Sequence, residues 1–367
     1  MKLNDSHYFF NMRNEKFIFL IFKKILAPLQ LFLSLFGLKI KFCKGFIILL
    51  KHQFLITRIQ WGNLWKKYCQ KNSNTIKSDL RVLKRGLDSG SKEVVEKIFN
   101  RYVFLLPTSE NALVMNYQVF DEDERKLQKK VRNKRKAYKK KHNLSFKHYE
   151  DCVFYFHSGL KIIDCDHLRN YIKNKFFIDA GAFIGDSALT FLEYKPKVIL
   201  SFEPSSKNYH YLKQTIILNN LDKKINALKM GVGSKNEKLF LTEDFLASSL
   251  VKQPTGQRGT TINVVKIDDF IQKNCSNNSI GLIKLDIEGN ELNAIKGAKE
   301  IIKKDKPIIL CSIHHTPQDF FKVKPLLRSY YKNYAFLIRK LDPFHPVYET
   351  VLIAYPKHLN IKPNESS

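Results

Sequence analysis

Beyond residue 170 the chain alternates short apolar β-type runs with helical stretches, and few architectures accept that order. The runs are FFIDA (176–180), VILSFEP (198–204), INALKMGV (225–232), GLIKLDIEG (281–289) and PIILCSIHH (307–315). Their apolar residues do not alternate with polar ones, so both faces of each strand must be covered, which is the condition of a mostly parallel sheet sandwiched by helices. Two more runs, YAFLIRKL (334–341) and TVLIAYP (350–356), are separated by Asp342, Pro343, His345 and Pro346. They are expected to close the sheet as a hairpin-like pair, leaving an antiparallel strand near the C-terminus. The fold class is α/β.

In such sheets ligands sit at the carboxyl ends of the strands, and the acidic residues of this base-rich chain collect there. The first end reads Asp179-Ala180-Gly181-Ala182-Phe183-Ile184-Gly185-Asp186. Gly181 and Gly185 let the backbone turn tightly and approach a ligand that a Cβ would push away. This is neither the G-x-G-x-x-G of a dinucleotide fold nor a phosphate-binding P-loop, and acid at both ends repels phosphate. A carboxylate after the first strand suits an amine or a cationic centre. Glu203, 24 residues beyond Asp179, stands where a second strand offers a carboxylate to ribose hydroxyls. Together these features describe S-adenosylmethionine.

Four segments, FIDAGAFIGDSAL, SFEPSSKNY, IGLIKLDIEGNELNAIKGA and PIILCSIHHTPQDFFKVKPLL, fall in the order found in the FkbM family of S-adenosylmethionine-dependent methyltransferases, which residues 150–356 resemble. The resemblance implies the class I methyltransferase-like (Rossmann-like) fold and O-methylation of a sugar or other hydroxyl, in a bacterial cell-surface glycan or a related metabolite. Carried onto this chain, it implies that Asp179, Gly181 and Gly185 line the methionine part of the cofactor and that Glu203 holds the ribose. It places Gly231-Val232-Gly233 past the adenine and Asp286 before the reacting methyl, and the Ser248-Ser249 pair matches a small-serine motif. Where family members often carry tyrosine-histidine, this chain has His314-His315, which leaves His315 as the matched residue.

Methyl transfer from a sulfonium needs alignment of three atoms and removal of one proton. Candidates for the proton acceptor are Asp286 and Glu288, with Glu291 one turn on, and His315. Histidine has the better resting pKa for a base near neutrality, so His315 is expected as base, with Asp286 or Glu288 orienting the hydroxyl. The alternatives are that Glu288 and Glu291 cap a helix N-terminus and that His315 is a core histidine. Asp268, Asp269, Asp286 and Glu288 could together offer oxygen ligands, but their spacing is not diagnostic, and no metal is expected; Asp268-Asp269 more simply cap the helix DDFIQKN.

The front of the chain differs in kind. Of the net charge of +29, residues 1–150 carry 32 basic and 12 acidic side chains against 31 and 22 in the remainder. Within residues 1–60, lysines flank short Phe/Leu/Ile segments whose longest uncharged run is 14 residues, too short for the ~20 of a membrane span. Such segments either lie on an anionic membrane surface or pack on protein. Residues 61–149 read as a helical region, including a basic cluster from Arg125 to Lys147 preceded by four acids, a pattern that complements a helix dipole. The methyltransferase-like domain is set at 150–367. Six scattered cysteines without C-x-x-C spacing point to a reducing compartment, and no signal cleavage site is seen, so the chain is expected to start at Met1 and to be cytoplasmic, peripheral at the inner membrane if the front segments bind lipid. Nucleic acid is not the expected partner, since no aromatic platform accompanies the basic cluster. Two further readings stay open: a non-catalytic glycan- or membrane-binding module on the same fold, and an RNA methyltransferase. Acceptor identity and oligomeric state are not legible.

Overall fold

The computed structural model describes residues 54–58, 62–105, 111–115, 120–242, 250–251 and 259–364. The apolar basic stretch at the front lies outside the described residues apart from the strand Phe54–Arg58, as does the Ser248-Ser249 pair. No helix among the described residues is long and apolar enough to cross a membrane. The chain divides into two compact units. One gathers Met1–Lys71, Lys97–Gln128 and Pro343–Pro346, the other Asn72–Glu96, Lys129–Asp342 and Val347–Ser367.

In the first unit the strands Phe54–Arg58 and Asn111–Met115 pair antiparallel. Trp65 and Tyr102, both fully buried, stack with ring centroids 3.8 Å apart. The buried Arg101 guanidinium forks onto both carboxylate oxygens of Glu124, at 2.7 and 2.5 Å, and donates to the Pro346 carbonyl at 2.9 Å. A bidentate pair of this kind leaves neither buried charge uncompensated.

The second unit is built on a seven-stranded sheet. Its strands in chain order are β1 (Phe176–Ala180), β2 (Val198–Phe202), β3 (Ile225–Leu228), β4 (Ile280–Leu285), β5 (Ile308–Ser312), β6 (Tyr334–Lys340) and β7 (Thr350–Pro356). They lie side by side as β6-β7-β5-β4-β1-β2-β3. All neighbours run parallel except those of β7, which is antiparallel to both β5 and β6. This is the class I methyltransferase-like sheet. Every residue of β1, β4, β5 and β7 is buried, which is why those runs lack a polar face. Each buried Phe, Ile or Leu there contributes about 1.5–3 kcal/mol.

The run INALKMGV is not one strand. β3 stops at Leu228, and Gly231–Gly233 joins a second, four-stranded sheet beside Gly259–Lys266. Another expectation is corrected at the helix Ile267–Cys275, which begins before Asp268 and Asp269, so that neither can cap it. Asp268 instead accepts the Glu300 and Ile301 amides at 3.0 Å, serving the helix Lys299–Asp305, while Asp269 pairs with Lys266 at 2.8 Å.

The strand order reverses between β1 and β4, with β2 continuing on one side and β5 on the other. A crevice opens at the carboxyl edge at such a point.

Candidate active site

β1 and β4 meet in register, Asp179 opposite Lys284 and Ala180 opposite Leu285. Asp179 is fully buried. One of its oxygens, Oδ2, accepts from Ser187 Oγ at 2.7 Å, whereas Oδ1 is buried without a hydrogen bond and has Lys284 Nζ 3.5 Å away. The Lys284 ammonium donates to the Gly181 carbonyl at 2.7 Å and stands 3.9 Å from Asp286 Oδ2. Burial works against the charge of Lys284, and Asp179, Asp286 and Asp186 outweigh it, holding its pKa above the ordinary lysine value. Lys284 is thus a fixed cation joining the two strand ends, and it was missed at the level of sequence. Its signal was a lysine inside an otherwise apolar run, GLIKL.

The glycines of the first loop have two separate reasons. At Gly181 (φ +75°) an added Cβ would lie 1.8 Å from the Asp286 carbonyl oxygen, so the β1 and β4 ends can approach only without a side chain. At Gly185 (φ +88°) it would lie 2.9 Å from Leu212 Cδ1, and there the chain turns into the helix Asp186–Phe191. Asp186, buried just inside that helix, is pushed up to about 7 by desolvation.

Glu203 follows β2 and reaches back to the same loop. Its Oε2 accepts the Phe183 amide and its Oε1 the Ser205 amide, both at 2.9 Å. Burial raises its pKa to about 7 despite these two donors. Gly231 and Val232 belong to the four-stranded sheet; Val232 is buried and its carbonyl accepts from Asn290 Nδ2 at 2.8 Å.

β4 ends at Leu285, and the next residues reverse through left-handed backbone at Glu288 (φ +57°) and Gly289 (φ +97°). A glutamate in that region is uncommon and costs strain of the order of 1 kcal/mol, a mark of functional turns. The turn gathers four ionisable groups. Glu291, fully buried at the head of the helix Glu291–Gly297, accepts the Ile287 amide at 2.8 Å and the Gly289 amide at 2.9 Å. The same carboxylate meets His315 Nδ1 at 2.8 Å, so it both closes the turn and fixes the imidazole. His315 Nε2 then lies 3.6 Å from Asp286 Oδ1 and 3.6 Å from Glu288 Oε2. Asp286 and Glu288 keep 32% and 30% of their side-chain surface in solvent, against 4% for His315, so the two carboxylates form the mouth and the histidine the floor.

The electrostatics follow from that packing. Burial disfavours a charged His315, but Glu291, Glu288 and Asp286 outweigh it and lift its pKa well above the ordinary histidine value. Glu288 is pushed up to about 7 by burial, while Asp286, equally desolvated, is held low by Lys284, His315 and His314. Three carboxylates around one imidazole favour its protonated form and compete with it for the proton of an acceptor hydroxyl. Glu349 (φ +57°), whose pKa burial raises to about 8, adds a further carboxyl near Asp286 that sequence reasoning did not find. Asp286, His314 and His315 each present one donor atom, all within 4.8 Å of one another.

Comparison with known proteins agrees with this architecture. Residues 179–341 match the family model of the methyltransferase FkbM domain. Methyltransferase 1 of Beauveria bassiana is 22% identical over 212 residues, covering 52% of this chain and 84% of its own length. Methyltransferase sdnD of Sordaria araneosa is 26% identical over 168 residues, covering 37% of this chain and 65% of its own. The crystal structure of methyltransferase FkbM from Methylobacillus flagellatus superposes with a TM-score of 0.52 at 20% identity, over 78% of this chain and 60% of that one. The chain therefore spans less than two thirds of sdnD and of the Methylobacillus protein, and the structural likeness speaks to the fold. The family model runs from the end of β1 through β4 and β5 to the residue after β6, so residues 179–341 match a methyltransferase FkbM domain, and the fold is that of a class I methyltransferase.

Proposed function

We propose that this chain is an S-adenosylmethionine-dependent O-methyltransferase whose acceptor is a hydroxyl, on a sugar of a cell-surface glycan or a related metabolite. The observation that carries the reading is the joint at the β1 and β4 ends, where a glycine-permitted contact sets Asp179 and Lys284 beside Asp286 and Glu288, each about one-third exposed. The site fits the cofactor on the chain's own terms. Asp179 Oδ1 is a buried acceptor without a hydrogen bond, and Glu203 is a second carboxylate anchored across the loop.

When bound, the cofactor supplies a methyl group on a positively charged sulfur, open to in-line displacement. Asp179, with Lys284 3.5 Å away, would offer an acceptor to the ammonium of the methionine part, with Gly181 and Gly185 leaving the backbone bare beside it. Glu203 would accept from the ribose hydroxyls, and Gly231 and Val232 would border the adenine. Asp286 and Glu288, at the open mouth, orient the acceptor hydroxyl. Of the two carboxylates that flank His315 Nε2, Glu288 takes the proton, because burial raises its pKa to about 7 while Lys284 and the histidines hold Asp286 low. Holding an acceptor oxygen in line is worth several kcal/mol of the barrier, so positioning outweighs proton removal.

Titration calorimetry of the full chain with S-adenosylmethionine and with its demethylated product tests the cofactor. Wild type is expected to bind both, and Asp179→Asn to weaken both by at least tenfold, about 1.4 kcal/mol. Equal affinity in wild type and variant would refute the placement. The exposed lysines and arginines of the helix Glu122–Lys141, among them Lys129, Lys130, Arg132 and Lys136, support attachment to an anionic membrane surface. Sedimentation of the full chain with vesicles containing anionic lipid, and its release by salt, tests that placement.

A further inference from the structure

We infer that Asp286, His314 and His315 form a binding site for one divalent transition-metal cation, which holds the acceptor through its reacting hydroxyl and a neighbouring oxygen. The inference deepens the proposed function and rests on it for the role of the acceptor, though the cation site itself stands on separate observations.

The first is spacing. Ligand atoms about 2.1 Å from a common ion lie about 3.4 Å apart across a tetrahedral angle and about 4.2 Å apart at most. His315 Nε2 is 3.6 Å from Asp286 Oδ1, within about 0.2 Å of the tetrahedral spacing, and all three donor atoms fall within 4.8 Å, so the widest pair closes by at most about 1.4 Å onto one ion. The second is division of labour within each ligand. His315 gives Nδ1 to Glu291 at 2.8 Å, which orients the ring and turns Nε2 toward the carboxylates. A carboxylate behind the second ring nitrogen is the arrangement by which proteins fix metal-binding histidines. Asp286 likewise leaves Lys284 on its Oδ2 side at 3.9 Å and presents Oδ1 to the histidine. The third is rigidity with an open side. Both histidines are buried, their rings 4.1 Å apart, and His314 lies against Tyr348 with ring centroids 5.5 Å apart. Asp286 keeps about a third of its side chain in solvent, so three protein ligands leave coordination positions open toward the crevice.

Two imidazoles and one carboxylate suit manganese, iron, cobalt or zinc better than magnesium or calcium. An acceptor bearing two adjacent oxygens, a vicinal diol or a hydroxyl beside a carbonyl, would fill two open positions. The reacting O–H bond breaks with its proton going to the Glu288 carboxylate, the O–CH3 bond forms, and the C–S electron pair returns to sulfur.

The test uses the full chain freed of metal by a chelator and titrated with manganese(II), the free ion followed by electron paramagnetic resonance, with S-adenosylmethionine binding measured on the same samples. One equivalent of manganese is expected in wild type, with at least a tenfold loss of affinity in His314→Ala and in Asp286→Asn. Glu291→Gln, which keeps the side-chain volume, should weaken binding about 10- to 100-fold. Wild type that binds S-adenosylmethionine yet binds neither manganese, cobalt nor zinc overturns the inference and leaves the proposed function standing. Manganese bound equally by wild type and His314→Ala also overturns it, because the ion would then lie elsewhere. Metal bound in a His314-dependent way by protein that ignores S-adenosylmethionine supports the cation site and removes the proposed function.

Discussion

At Gly181 a single missing Cβ decides whether two strand ends can touch. A methyl group there would sit 1.8 Å from the Asp286 carbonyl oxygen in a backbone with φ of +75°. Gly181→Ala should therefore lower stability by about 3 kcal/mol, seen as a shift of the urea midpoint, and should abolish cofactor binding even where the protein still folds. Gly90, in the helix Ser89–Leu105, is the matched control: its added Cβ would approach nothing closer than 4.0 Å. Gly90→Ala should be neutral or stabilise by up to about 1 kcal/mol. Equal effects at the two positions would remove the steric account. Glu203 gives a second test at this scale, through pH. Its folded pKa, raised to about 7, lies above the ordinary glutamate value of 4.5, so the folded state holds the extra proton between those limits. Its contribution to stability is then present below pH 4.5 and lost as pH rises through about 7. Ribose hydroxyls need the ionised form, so cofactor affinity should rise up to about tenfold between about pH 6 and about pH 8 and level off above. Calorimetry in Glu203→Gln should show no such rise; an identical profile in the variant would assign the titration to another group.

At the scale of elements, the strands were legible because both-face burial leaves an unbroken apolar run, and β1, β6 and β7 form over FFIDA, YAFLIRK and TVLIAYP. What escaped was a change of sheet inside such a run. The Met230 amide bonds back to the Leu228 carbonyl at 2.9 Å, a tight turn that a continuous run INALKMGV does not announce. The site divides the same way. Asp179, Asp286 and Glu288 could be found because acids at strand ends are conspicuous, whereas Lys284 reads as an interruption and Glu291 as a cap until its bond to His315 is seen. Another buried lysine ties helices together. Lys324, inside Pro317–Tyr330, donates to the Leu83 and Arg85 carbonyls at 2.8 and 2.7 Å, closing the C-terminal end of the helix Ile76–Lys84. Burial lowers its pKa to about 8. Lys324→Met keeps the apolar stem but strands two carbonyls, and should cost about 1–3 kcal/mol in urea unfolding with cofactor affinity unchanged. A midpoint equal to that of wild type would mean that water replaces the ammonium at no cost.

For the whole molecule, the question is how much chain the methyltransferase core requires. Sequence reading sets the domain at 150–367, where the resemblance begins. The compact unit around the seven-stranded sheet also takes in Asn72–Glu96 and Lys129–Tyr149. Each of these pieces fills hydrogen-bonding demands that the core cannot meet alone. Ser91 Oγ accepts the Ile338 amide at 2.8 Å, Asp88 pairs with Arg339 at 2.7 Å, and Ser145 Oγ donates to the Tyr211 carbonyl at 2.7 Å. Arg135 Nε meets the buried Asp151 at 2.9 Å, and Lys324 needs the carbonyls of Leu83 and Arg85. Cutting at residue 150 removes all of these partners while leaving β6, Lys324 and Asp151 exposed to water or unpaired. At about 1 kcal/mol for each hydrogen bond lost, before the apolar surface of Leu80 and Leu83 is counted, the shortened chain should lose several kcal/mol. Residues 150–367, compared with the full chain in urea, should unfold at a clearly lower midpoint and with weaker cofactor binding, although every proposed cofactor-binding residue is retained. An unchanged midpoint would show that the 150–367 segment folds as a self-sufficient domain and that the front segments serve only the binding of partners.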